Sequence, residues 1–188
     1  MKKFTLYILT AFGLMGLATS CNDFGDVNND PMNLNPGVVD YKMEFTQVEA
    51  QICGSDWDVW RNGCIYTANM IQHTASVDWA YGVFYTWNDQ YSGAYWGGFY
   101  SGGRAAIRNI IDVMNNWEGN PAYANEYQMC RILKAYMFQN MTDLYGDVPY
   151  SEAGQGYSTN PIPYPKYDTQ EAIYNDLLKA LADAQAAL

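Results

Sequence analysis

The chain has 188 residues, 49% hydrophobic and only 16% charged, which is enough to build a core and too apolar for a disordered chain. Twenty acidic residues oppose ten basic ones, and this net charge of −10 disfavours nucleic-acid backbones and anionic lipid surfaces as partners while suiting a neutral ligand. Aromatic residues, counted within the hydrophobic share, make up 16% of the chain, with 17 Tyr and 6 Trp, so the chain must either line a binding surface with them or use them to plug loops onto its core.

Residues 1–20 read as an export signal. Lys2 and Lys3 open it, Phe4 to Leu17 form an apolar stretch too short to span a bilayer comfortably, and Ala18-Thr19-Ser20 leads to Cys21. Ala-Thr-Ser-Cys resembles a bacterial lipobox, with Ala18 where Leu is commoner. On that reading Cys21 is diacylated and becomes the mature N-terminus, and the alternative is an ordinary signal peptide that happens to precede a cysteine. Residues 21–37 are an acidic, Asn- and Pro-rich tether without apolar period, including Asn22 to Asp26 and the stretch NNDPMNLNP from Asn28 to Pro36.

The rest, 38–188, reads as one helical domain. Val38, Tyr41, Phe45, Val48 and Ile52 recur at three and four, predicting a helix from Val38 to Cys53. Gly54-Ser55-Asp56 breaks and caps the next, whose stripe is Trp57, Trp60, Cys64, Ala68 and Ile71, and the two should fold as a hairpin. Val77 to Gly103 shows no helical period, and ten of the 22 residues from Trp79 to Tyr100 are aromatic, so it reads as an ordered loop with short extended pieces. Ile107, Ile110, Ile111 and Met114 mark a third helix from Gly103 to Trp117. A long central helix from Ala122 to Tyr145 follows, with Cys130, Leu133, Met137, Met141 and Leu144 on its stripe and Gly146 and Pro149 at its stop. After a proline-bearing loop, Asp168 should cap a last helix carrying Ile173, Leu177, Ala180, Ala184 and Leu188 on one face. The fold class is therefore all-α, built of paired helices with long irregular loops. Leu188 ends the chain on an apolar stripe with no cap, from which we expect a C-terminally truncated piece.

Residue chemistry argues against catalysis. His73 is the only histidine, so multi-histidine zinc sites are excluded, and it reads as a structural residue ending the second helix. Neither a nucleophile elbow nor a phosphate- or dinucleotide-binding glycine pattern is present. Asp143, Asp147 and Glu152 could supply oxygen ligands for calcium, but Asp143 reads better as bonding backbone at the helix end and Glu152 as solvated, so no metal or other cofactor is expected. Cys53, Cys64 and Cys130 read as buried free thiols, although Cys53 and Cys64 flank one turn and could bridge.

The run RILKAYMFQNMTDLYGDVPYSEA, Arg131 to Ala153, resembles the best-preserved segment of the SusD/RagB family of outer-membrane nutrient-binding lipoproteins. The PKYDTQEAIYNDLLKAL segment resembles it again, as do the N-x-DP tether and the acidic residues after Cys21. The resemblance implies degenerate tetratricopeptide-like helical hairpins, although no 34-residue repeat is visible in the sequence. It also implies a lipid-anchored, outward-facing protein of the outer membrane that binds oligosaccharide or another nutrient and delivers it to a SusC-like TonB-dependent transporter.

Trp79, Tyr81, Tyr85, Trp87, Asn88, Tyr91 and Trp96 are the glycan-binding candidates, because a sugar's C–H face packs on an aromatic plane while neighbouring amides and carboxylates meet its hydroxyls. Two other readings stand beside this one: a secreted all-α glycoside hydrolase or lyase, and a helical-repeat adaptor that binds no ligand.

Overall fold

The computed structural model describes residues 40–101, 104–156 and 160–188. The export signal, Cys21 and the tether lie outside the described residues, as does Gly103 at the expected start of the third helix.

The first helix, α1, is Tyr41–Gln51, opened by Asp40, whose Oδ1 accepts a hydrogen bond from Lys42 N (3.0 Å). It buries Phe45 and Val48. A second rod, α2, runs through Asp56–Asp58, Val59–Thr67 and Ala68–Met70. Ser55 and Asp58 cap it reciprocally: Asp58 N donates to Ser55 Oγ (3.4 Å) and Ser55 N to Asp58 Oδ2 (2.8 Å). Its middle nine residues wind as a π-helix, whose i to i+5 bonding widens each turn. The stripe expected on this helix is not its buried face. Trp57, Cys64 and Ile71 are exposed, while Asp58, Asn62, Ile65, Tyr66 and Asn69 are buried.

The stretch from Val77 onward corrects a second expectation. Residues 77–88 are irregular, as expected, but the rest holds two short helices in place of loop, α3 (Asp89–Ser92) and α4 (Ala94–Tyr100). Asn88 starts α3 by accepting from Gln90 N (3.1 Å) and Tyr91 N (3.3 Å). Helices of four and seven residues are too short to print a period on a run this aromatic.

Then come α5 (Ala106–Trp117), a 3-10 turn at Pro121–Tyr123, α6 (Ala124–Tyr145) and α7 (Gln170–Ala187). The central helix is α6, which buries Cys130, Met137 and Met141 from the expected stripe together with Ala135 and Phe138. It packs between α5 and α7, and α1 packs chiefly on α5 rather than folding back on α2. Phe45 of α1 meets Trp117 of α5 with ring centroids 5.6 Å apart, and Trp117 stacks on Tyr123 at the α5–α6 turn (5.0 Å). Gln170 Nε2 donates to Thr142 O (2.7 Å) where α6 ends and α7 begins, whereas Arg131 pairs with Asp183 (3.4 Å) toward the opposite end, so α6 and α7 form an antiparallel hairpin. The architecture is mostly helical and of tetratricopeptide-like type, as expected.

Gly146 ends α6 with φ +73° and ψ −120°, a conformation open to glycine and strained for any other residue. Its N–H donates to Thr142 O (2.8 Å), and Thr142 Oγ1 donates to Gly146 O (2.7 Å). The chain leaves through a two-residue ribbon, β1 (Val148–Pro149) antiparallel to β2 (Tyr167–Asp168). Asp168 does not cap α7 as expected; Thr169 does, accepting from Ala172 N (3.3 Å). The Asp168 carboxylate is taken by Ser151 N (2.7 Å), Ser151 Oγ (2.8 Å) and Tyr150 N (3.3 Å), which pins the turn after α6 to the start of α7.

The three carboxylates weighed for calcium serve separate partners. Asp143 accepts from the Tyr174 hydroxyl rather than from backbone, Asp147 from Gln170 N (2.9 Å), and Glu152 from Lys166 N (3.0 Å) rather than standing in solvent. Of the described cysteines only Cys130 is buried, and burial pushes its thiol up to about 12. Cys53 and Cys64 are free and exposed: Cys64 sits on the outward side of the π-helix and Cys53 in the turn after α1. His73, also exposed, follows α2. Leu188 is exposed and falls off the buried stripe of α7, which keeps Ile173, Leu177 and Ala184. Among the described residues no helix is long and apolar enough to cross a membrane.

Candidate functional site

The π-helix faces an aromatic wall, and Trp60 is where the two meet. Its ring makes edge-to-face contact with Trp57 (5.3 Å), Trp79 (5.2 Å) and Tyr91 (5.9 Å). Tyr91 continues to Tyr81 (5.3 Å), which stacks on Tyr66 (6.4 Å). Edge-to-face geometry sets the positive rim of one ring against the negative face of the next, so each pair adds attraction to simple burial. At the outer end Trp57 is 61% exposed and Trp79 51% exposed, so the wall presents flat apolar area to solvent while its inner rings hold it in place.

Backbone bonds fix the wall to α2. Gly82 N donates to Ile65 O (3.2 Å), the Tyr66 hydroxyl to Thr86 O (3.2 Å), and the Tyr85 hydroxyl to Met70 O (3.0 Å). Buried Asn69 donates to Ile65 O (3.0 Å) and accepts from Thr74 Oγ1 (2.8 Å). Asn62, also buried, donates to Ser92 O (3.0 Å) and accepts from Tyr95 N (3.2 Å), tying the π-helix to α3 and α4. Three non-glycine residues in this region, Gln72, Trp79 and Tyr85, adopt left-handed φ of +59°, +50° and +53°. Such backbone costs about 1–3 kcal/mol per residue and persists where the surroundings over-determine it.

Beside the wall lies an open cleft of about 580 Å³, lined among others by Trp57, Asp58, Arg61, Asp89, Gln90 and Arg104. Asp58 is buried and paired with Arg104. Burial alone would raise its carboxyl, but hydrogen bonds from Arg104 and from the Ser55 backbone and hydroxyl, with the Arg104 charge, outweigh burial and hold it below the usual carboxylate range. A carboxyl depressed on folding contributes stability that is present above its unfolded value of about 3.9 and is lost as pH falls through the folded value. Asp58→Asn should therefore unfold more readily than wild type at neutral pH. The gap between the two melting temperatures should close in acid below about pH 3.9, and a gap constant from pH 7 to pH 2 would contradict this assignment. The Arg61 guanidinium lies over Trp57 (5.1 Å) and Tyr91 (5.8 Å).

The residues expected to bind glycan do not all share one place. Trp79, Tyr81 and Tyr91 meet in the wall. Tyr85 and Trp87 stand on its outer rim, where Trp87 is 72% exposed and donates its indole N–H to Asp89. Asn88 spends its carboxamide oxygen capping α3. Trp96 is elsewhere, packed with Tyr100 (4.7 Å), Tyr145 (5.4 Å) and Tyr167 (6.2 Å) where α4 meets the end of α6. Three contributors were not singled out from sequence: Trp57, Trp60 and Arg61. The only hint for Trp57 was its setting between Asp56 and Asp58, unusual for a ring meant for the core.

A family model for SusD-like proteins, described as starch-binding and associating with the outer membrane, matches residues 38–188. Among solved structures, a chitin-binding protein superposes with a TM-score of 0.63 at 31% identity over 78% of this chain and 30% of its own. The Bacteroidetes AC2a SusD-like protein superposes with a TM-score of 0.65 at 27% identity, over 80% and 27% respectively. The chain thus spans less than a third of the length of either structure. No curated protein sequence matches it.

Proposed function

Because the chain belongs to the SusD-like family of starch-binding proteins that associate with the outer membrane, we propose that it captures oligosaccharide on the wall around Trp60 and in the cleft beside it. The observation that carries this reading is the exposed area of Trp57 and Trp79, held on inner rings and edged by the polar groups of Asp89 and Gln90. A pyranose offers an apolar face for the first and hydroxyls for the second, and a wall fixed in advance spares the ordering entropy of binding. The chitin-binding relative supports a carbohydrate ligand.

The remainder of the proposal follows the family. Cys21 carries the lipid, residues 21–37 form the tether, 38–188 form the binding domain, and the captured sugar passes to a SusC-like TonB-dependent transporter facing the cell exterior. No bond is broken in this role. The tryptophans report binding directly: titration with maltooligosaccharides and chitooligosaccharides, and with acidic counterparts, should change their fluorescence saturably without releasing reducing ends. Release of reducing ends would favour the hydrolase or lyase reading instead, and silence across the panel would favour the adaptor. Labelled palmitate should enter the wild-type protein and not Cys21→Ser; equal labelling of the two would remove the anchor.

A further inference from the structure

The cleft is lined by two arginines, Arg61 and Arg104, and two aspartates, Asp58 and Asp89, of which only Arg104 and Asp58 pair with each other among the described residues. Arg104 is neutralised by Asp58, and the Asp58 carboxylate is also bonded by Ser55. Asp89, the other carboxylate named on the cleft wall, receives the Trp87 indole N–H. Arg61 makes no ion pair among the described residues, and its Nε is buried without a hydrogen-bond partner. Its guanidinium lies 5.1 Å from the Trp57 ring centroid and 5.8 Å from that of Tyr91, against the aromatic wall.

We propose, resting on the glycan reading above, that this site selects oligosaccharides carrying an oxyanion at the edge of the sugar ring, a uronate carboxylate or a sulfate ester, and that Arg61 binds that group. A planar guanidinium that already rests against aromatic rings can present two parallel N–H bonds to an oxyanion and has less rotamer entropy left to lose than a free side chain. A sugar seated with its C–H face on Trp57 lies beside Arg61, since the two side chains are in contact, and a charged substituent at its ring edge reaches the fork. Such a bond is charge-assisted on both sides, and a neutral sugar cannot form it. The net charge pointed to a neutral ligand; Arg61, without an ion pair among the described residues, points the other way.

Calorimetric titration of the purified protein with trigalacturonate, a sulfated carrageenan disaccharide, chitotriose and maltotriose tests this. At least one of the two anionic sugars should bind about ten-fold or more tighter than both neutral ones, and weaken as salt is raised. Arg61→Gln should lower the anionic affinity far more than the neutral ones and so abolish that advantage, while Arg61→Lys, which keeps the charge and loses the fork, should fall between. Far-UV circular dichroism confirms that each variant is folded, and Arg61→Lys carries the test should Arg61→Gln unfold. Which anionic sugar responds identifies the carboxylate or the sulfate as the group bound. Neutral sugars binding as tightly as charged ones, or an anionic affinity indifferent to Arg61, would overturn the selectivity while leaving glycan capture intact. Failure of all four to bind would overturn both.

Discussion

Trp60→Ala is expected to weaken oligosaccharide binding by about thirty-fold or more, the size of a hot-spot loss of about 2 kcal/mol. Trp60 is only half-exposed itself, and its effect comes from what it holds. Trp57, Trp79 and Tyr91 each place a ring against it, at 5.3, 5.2 and 5.9 Å. At about 0.5–1.5 kcal/mol per pair beyond burial, the substitution also removes about 2–4 kcal/mol of local stabilisation, and Trp79 at φ +50° loses a contact that offsets its backbone strain. Both sugar-facing rings then sample several orientations, and binding must first order them. Calorimetry with the tightest oligosaccharide of the panel measures the loss, and near-UV circular dichroism measures the disorder. Trp57→Ala makes the comparison: it removes one ring and should cost less than Trp60→Ala. A Trp60→Ala protein that binds as wild type would mean the wall is not the platform.

Why Trp60 escaped notice in the sequence is instructive. A three-four spacing assigns Trp57, Trp60, Cys64, Ala68 and Ile71 to one face, which reads as core. The face that packs inward is instead the one carrying Asp58, Asn62, Ile65, Tyr66 and Asn69 at the same spacing, on a helix whose middle, Val59–Thr67, is π-wound. Polar residues at buried positions mark the change, because each has a specific partner: Arg104 for Asp58, Ser92 and Tyr95 for Asn62, Ile65 O and Thr74 for Asn69. Those partners lie far along the chain or depend on the winding, so no local pattern announces them.

Where packing rather than pairing decides, the sequence was a good guide. The α6 stripe, the Gly146 stop and the Ser55 cap stand as expected, because each follows from periodicity, a φ restriction or a local hydrogen bond. The family resemblance, read mainly from Arg131 to Ala153, agrees with the match over residues 38–188. The α7 cap was misread by one residue because Asp168 and Thr169 can both cap. The choice fell to Thr169 once Tyr150 and Ser151, on a turn 17 or 18 residues earlier, claimed the aspartate. Of the glycan candidates, Trp96 was drawn in by composition alone; its ring is committed to Tyr100 and Tyr145.

Gly82→Ala should dismantle the wall while leaving the bundle standing. A Cβ at this position would lie 2.7 Å from Tyr66 O and nearer still to Ile65 O, and both are backbone atoms of the π-helix that no rotamer change can move. Overpacking of this kind costs typically about 1–3 kcal/mol, and the upper end applies where backbone must shift. The least costly relief is for the segment around Gly82 to lift away. That motion surrenders its own bond to Ile65 O, and with it the Tyr66–Thr86 bond and the Tyr81–Tyr66 stack. Phe138, Met137, Met141, Ile110 and Ile173 form the core of α5, α6 and α7 without touching this segment, so far-UV circular dichroism should hold near wild type. Near-UV circular dichroism should fall, amide exchange around Gly82 and Thr86 should speed by about ten-fold or more, and oligosaccharide binding should be lost. Asn69 also donates to Ile65 O from within α2, so that carbonyl keeps a partner and the π-helix itself should survive. An alanine variant with wild-type exchange rates and affinity would show that the wall does not depend on this close approach.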